Sequence, residues 1–164
     1  MYMKILVPVD GSSASVNAVK KAIEIAKKYG FSIKIISVVD VSAMPKYRRN
    51  DKLWGQVDGS IIGGGARMPE IDEVLLKFKE NAAKILDAVE ADLDFQGVKL
   101  EKRVLVGEPY EEILETARNE KFDLIVMGNR GFSKIKRFFV GSVAQKVISE
   151  APCPVLVIHS DASF

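Results

Sequence analysis

Histidine, cysteine and tryptophan each occur once in these 164 residues. A lone Cys153 excludes an intrachain disulfide and is compatible with a reducing compartment. With His159 as its single histidine the chain lacks a Cys/His set for zinc. The formal charges nearly cancel, leaving +2. That small excess does not suit a nucleic-acid backbone or an anionic membrane. No apolar run approaches the roughly 20 residues of a membrane-spanning helix. The opening MYMKILVPVDGSS has no charged region followed by a long apolar stretch and a small-residue cleavage site. The expectation is a soluble, unprocessed, cytoplasmic chain that binds neither nucleic acid nor membrane.

What is present is an ordinary globular balance, 48% apolar and 28% charged residues. The length suits one domain, residues 1–164, with a sizeable core. MKILVPVD (3–10) is a short apolar run ending in turn chemistry and reads as a buried strand. Ser12 or Ser13 then offers an N-cap. Val19, Ala22, Ile23 and Ala26 recur at helical spacing until Tyr29-Gly30 stops the helix. SIKIISVVD (32–40) is the second strand. From about 41 to 69 the chain carries two Pro, five Gly and mixed charge without a sustained period. That segment reads as a flexible insertion, with GSIIGGGAR (59–67) as a surface loop and Trp54 as an anchor for a lid or partner. Ile71, Val74, Leu75, Phe78, Ala82, Ile85, Leu86, Val89 and Leu93 then form one apolar stripe of a helix. VKLEKRVLVG (98–107), FDLIVMG (122–128) and CPVLVI (153–158) are three further strands. Tyr110, Ile113, Leu114 and Ala117 mark a helix opened by Pro109, and Val143, Val147 and Ile148 mark the last one.

Strands and helices alternate, which predicts an α/β fold: a doubly wound, five-stranded parallel sheet with helices on both faces. Such sheets bind ligands beyond the carboxyl ends of their strands, where the strand order reverses. Three strand ends are therefore nominated: Pro8, Val9 and Asp10; Val38, Val39 and Asp40; Met127 and Gly128. GNRGFSKIKRFFVGS (128–142) leaves from the third. Its last two residues open a helix, whose unpaired N–H groups and partial positive charge suit a phosphate. Lys134, Lys136 and Arg137 add positive charge along the way. The spacing is neither that of a P-loop nor that of the dinucleotide fingerprint.

The pattern G-x-x-G-x9-G-[ST], here Gly128-Asn129-Arg130-Gly131 and then Gly141-Ser142, resembles the nucleotide-binding signature of the universal stress protein family. ILVPVDGS near the start and GSVAQKVISEAPCPVLVI near the end are similar to further hallmarks of that family. The likeness spans the chain outside 41–69. It implies the strand order 3-2-1-4-5 of flavodoxin-like and adenine nucleotide α-hydrolase-like sheets. It also implies ATP as ligand. Pro8, Val9 and Asp10 would meet the nucleotide, and Val38 would line the adenine pocket. Met127 and Gly128 would sit by ribose and base. Gly131, Gly141, Ser142 and Val143 would hold the phosphates. Asp10 would serve a Mg²⁺ or Mn²⁺ ion bridging those phosphates, or would simply close the turn before the first helix. Ala144 departs from relatives that carry a hydroxyl there.

Three functions compete. The first is a stress-response regulator or sensor that binds ATP with little or no turnover. The second is an enzyme acting at a nucleotide phosphate, a slow ATPase or an adenylating enzyme, for which Arg130 is the nearest candidate finger. DGSSAS (10–15) resembles an adenylating loop but lacks its second glycine. The third is a nucleotide-free dimeric scaffold. His159 has no acid nearby in sequence to make it catalytic, and Cys153 reads as a packed small residue. The helix dipole accounts for Glu108, Glu111 and Glu112. The last strand, about 153–159, would be an apolar edge, which an antiparallel homodimer would cover. An unknown protein partner completes the expectations.

Overall fold

The computed structural model describes residues 2–43, 63–131 and 140–161, with backbone alone for 63–71. Five strands form one all-parallel sheet in the order β3-β2-β1-β4-β5. They are β1 Lys4–Pro8, β2 Ser32–Asp40, β3 Leu100–Gly107, β4 Leu124–Gly128 and β5 Val155–Ile158. The order 3-2-1-4-5 and the alternation with helices agree with the sequence reading. The helices are α1 Ser13–Tyr29, α2 Gly63–Asp92, α3 Pro109–Asn119 and α4 Ser142–Glu150.

Alternation along each strand divides the core in two. Ile5, Val7, Ile33, Ile35 and Val126 pack on one face against Ala18, Val19 and Ala22 of α1 and Leu86 and Val89 of α2. Leu6, Ile36, Ile125 and Met127 pack on the other against Ile113, Leu114 and Ala117 of α3 and Ala144 and Val147 of α4. β1 is apolar throughout because both faces are covered. Helix α1 ends at Gly30, whose φ of 75° is left-handed and whose N–H returns to Ala26 O at 2.8 Å. A residue with a Cβ would resist that conformation.

Two expectations are corrected at α2. The helix begins at Gly63 rather than near residue 70, so GGGARMP is helical instead of part of a loop. Glycine and proline are weak helix formers, which is why the pattern there has no period. Pro69 has no N–H to return to the preceding turn. At the other end of the expected insertion, Val41–Ala43 forms a 3₁₀ turn. Residues 44–62, including Trp54, lie outside the described residues. The apolar stripe of α2 is also only partly buried: Ala82, Leu86 and Val89 reach the core, whereas Phe78 is 49% exposed.

The second strand, SIKIISVVD, hides a buried cation. Lys34 is 2% exposed. Its ammonium lies 2.7 Å from one carboxylate oxygen of Glu120 and 3.1 Å from Glu101. Arg103 closes on Glu120 from the edge at 2.8 Å. Burial works to raise the Glu120 carboxyl, but Lys34 and Arg103 hold it below its ordinary range. An enclosed cation tolerates burial when its partners are this close.

The two sheet edges differ. β3 presents exposed Glu101, Lys102 and Arg103, which discourage another strand from pairing. β5 is VLVI, with Val155, Leu156 and Val157 half-buried within one chain.

Candidate functional site

β1 and β4 are neighbours, but their following helices leave to opposite faces of the sheet: α1 belongs to one core cluster and α4 to the other. This is the place where a crevice opens beyond the carboxyl ends. A cavity of about 450 Å³ lies there. Pro8, Val9, Asp10, Val38, Met127, Gly128, Gly131, Gly141, Ser142 and Val143, the residues assigned to the nucleotide, line it, whereas Val39 of the nominated strand ends is buried in the core instead. Ser15, Asp40, Pro109, Ile113, Arg130 and Ala144 line it as well. Pro109 and Ile113 arrive from α3, which follows a different strand, so no local pattern marked them. Ala144 is apolar and 2% exposed. Lys134, Lys136 and Arg137 lie outside the described residues.

Asp10 is built into a turn and still faces the cavity. Its Oδ1 accepts the Ser12 N–H at 2.9 Å and the Ser12 hydroxyl. Its Oδ2 points toward Gly131, where a Cβ would come within 2.5 Å of it. Ser12 is the N-cap of α1, with Oγ accepting from Ser15 N at 3.3 Å, while Ser15 Oγ donates to Ser12 O at 2.9 Å. Asp40 repeats the device at the end of β2: its Oδ1 accepts from Ser42 N at 2.9 Å and from the Ser42 hydroxyl.

The start of α4 is different. Gly141 is its N-cap and provides no side-chain cap. Its φ of −62° and ψ of 159° suit any residue, so the glycine is not there for backbone freedom. The first N–H groups of α4, from Ser142 onward, consequently lack a side-chain acceptor at the cap, and Ser142, Val143 and Ala144 all border the cavity. Gly141 N–H donates to Asn129 O at 2.6 Å, which ties the helix start to the loop leaving β4.

The glycines at 128, 131 and 141 each admit a neighbour from within the protein. A Cβ at Gly128 would meet Ala14 Cβ at 2.8 Å and the Ala14 carbonyl carbon at 2.9 Å, so the missing side chain lets α1 cross close to β4. At Gly131 the neighbour is the Asp10 carboxylate. At Gly141 it is Asn129 O and Arg130 Cα, both at 3.4 Å. The absent side chain at Gly128 thus serves helix packing, and the Gly128 backbone borders the cavity as well.

Backbone polarity at the crevice follows from strand register. Ile33 N–H donates to Lys99 O on the β3 side, and Ile36 O accepts Val9 N–H at 2.7 Å on the β1 side. Even-numbered residues of β2 therefore face β1. The β1–β2 pairing ends at Pro8 and Ile36. Val38, two residues further, turns its N–H and C=O toward the crevice. Among the charged residues described in the lining, Asp10 and Asp40 are negative and Arg130 is positive. No cluster of three or more metal-ligating side chains occurs among the described residues, and no described helix is long and apolar enough to cross a membrane.

Residues 1–56 and 57–159 match the model of the Universal stress protein family. Universal stress protein MJ0531 of Methanocaldococcus jannaschii is 39% identical over 96% of this chain and 82% of its own length. A solved universal stress protein in complex with cAMP is 25% identical, covers 98% of both chains and has a TM-score of 0.56. The universal stress protein from Archaeoglobus fulgidus in complex with dAMP is 25% identical over 96% of this chain and 98% of that one, with a TM-score of 0.52.

Proposed function

The chain belongs to the universal stress protein family, and from that premise we propose that it is an ATP-binding regulator or sensor of the stress response. It acts in the cytoplasm, with little or no turnover. The observation that carries this reading is the uncapped start of α4, opening into the cavity beside Gly131. A helix start concentrates about half a positive charge and several unpaired N–H groups, and phosphate is their natural guest. That two solved relatives hold adenine nucleotides supports the same class of ligand.

In this reading the base enters between Pro8, Val9 and Val38. The Val38 N–H and C=O read the base edge as a donor and acceptor pair. Met127 and Gly128 flank base and ribose. Gly131, Gly141, Ser142 and Val143 receive the phosphate chain, Ser142 with its hydroxyl as well as its amide. Mg²⁺ or Mn²⁺ travels with the phosphates and needs only one or two protein carboxylates. Asp10 fits that need: Oδ1 is held by Ser12, and Oδ2 faces the loop at Gly131. A bound ion there neutralises phosphate charge and fixes the bend of the chain.

Nucleotide-stripped protein titrated with ATP and magnesium tests the proposal. Saturable binding with one nucleotide per chain is the expected result. Absence of binding at millimolar ATP overturns it and leaves the scaffold reading. Pairing of β5 with its copy in an antiparallel homodimer completes the proposal, supported by the contrast between the apolar β5 edge and the charged β3 edge. Sedimentation at micromolar concentration should give the dimer mass, and a monomer would remove this part.

A further inference from the structure

Strand β2 runs two residues past Val38. Pairing of Val39 with Val106 and of Asp40 with Gly107 keeps that end in the sheet. Residues two apart on a strand share a face. Ile36 and Val38 pack on the side of α3 and α4, so Asp40 lies on that side too, about 7 Å beyond Val38. The cavity wall around it is apolar, formed by Pro8, Val38, Pro109 and Ile113. Asp10 and Arg130, the other charged residues described in the lining, lie with Gly131 at the opposite end. Ser42 fixes the Asp40 carboxylate. Its N–H donates to Oδ1 at 2.9 Å, and its hydroxyl donates to the same atom. Both bonds fall on Oδ1, which leaves Oδ2 to the cavity.

We propose that Asp40 selects 6-amino purines over 6-oxo purines. This rests on the nucleotide reading above and adds the residue that chooses the base. In that reading the Val38 C=O takes one hydrogen of the adenine 6-amine, and the Val38 N–H serves N1. The second amine hydrogen is left over. Asp40, further along the same strand, accepts it on Oδ2. An ionised carboxylate accepts hydrogen bonds and donates none. A 6-oxo purine carries an acceptor where adenine carries a donor. Its O6 therefore faces a negative oxygen in a wall with little else that is polar, and the mismatch is not relieved by water. Seating the carboxylate at the end of a paired strand keeps it in place whether or not a base is present.

The test titrates ATP and inosine triphosphate (ITP), each with magnesium, into the full nucleotide-stripped chain. ITP differs at position 6 and adds no 2-amine. The Val38 backbone also favours adenine, so the informative quantity is the change in preference when Asp40 is altered. Asp40→Asn keeps the acceptor that Ser42 uses and removes the charge. It should weaken ATP about tenfold and tighten ITP about threefold. Asp10→Asn, at the phosphate end, should shift both ligands alike. If Asp40→Asn melts early, Asp40→Ala should still reduce the preference, because a ratio of affinities taken on one sample is insensitive to its unfolded fraction. Equal changes for ATP and ITP at Asp40, the pattern that a ribose or phosphate contact gives, overturn the assignment alone. So does a preference that survives both Asp40 variants, which leaves the choice to Val38. Failure of wild type to bind ATP overturns the nucleotide reading and this inference with it.

Discussion

Two helices, α1 and α4, begin at the same edge of the sheet, and their first turns are built in opposite ways. Helix α1 is closed by its own sequence: Ser12 caps Ser15 N–H, and Asp10 accepts both polar hydrogens of Ser12. Helix α4 starts at a glycine with no side-chain acceptor, directly on the cavity. A third start, that of α3, has Glu111 and Glu112 in its first turn to answer its dipole. The comparison teaches where an anion can go. The same backbone feature is satisfied internally at α1, answered by carboxylates at α3 and left open at α4. The start of α4 has neither a side-chain cap nor a carboxylate in its first turn, and that is what leaves room for an anion.

The largest disturbance should come from the contact that holds the two starts in place. Gly128→Val puts a branched side chain where Ala14 Cβ and backbone already stand within 3 Å. It should cost about 3 kcal/mol or more, because overpacking against a helix backbone cannot relax locally. Urea denaturation would read the loss.

Gly141→Asp makes α4 resemble α1. The new carboxylate caps its own helix and occupies the anion position. ATP affinity should fall about a hundredfold through charge repulsion and loss of the free amides, while stability changes by only a few tenths of a kcal/mol. Gly141→Ala supplies bulk without a cap, and calorimetric titration should find it between the two. An alanine variant as defective as aspartate would mean that space, not capping, decides.

Ser12→Ala makes α1 resemble α4. Loss of the N-cap should cost about 1 kcal/mol and lower Tm by about 3 °C in a chain of this size. ATP binding should weaken only slightly, because Asp10 keeps the Ser12 N–H.

The smallest effect concerns α3. Burial, with Glu115 and Glu111 nearby, raises the Glu112 carboxyl above its ordinary value. A carboxyl raised on folding favours the folded state below its unfolded pKa and loses that benefit as pH rises through the folded pKa. Glu112→Gln should therefore melt slightly later than wild type at pH 7, with the difference closing as the pH falls below that of a free glutamate.

Much of this was legible in the sequence because it is written locally. The β-branched runs, Gly30, Ser12 and the glycine spacing at 128–142 each carry their own signal within a few residues. The start of α2 was not legible, since Gly63 to Gly65 and Pro69 oppose the helix they join. Lys34 was hidden because its partners Glu101 and Glu120 lie far along the chain. The same distance conceals Pro109 and Ile113 in the cavity wall. The packing duty of Gly128 was hidden for a related cause: α1 presses on it across the sheet, and a one-dimensional spacing does not show a helix crossing there.

The central claim is that the open start of α4 receives the phosphates. The most direct measurement is an ATP titration followed by the backbone amide resonances of the two first turns. The Ser142, Val143 and Ala144 signals should move furthest, well beyond those of Ser13 and Ala14. Static α4 signals under saturating ATP, or larger movements at α1, would contradict it.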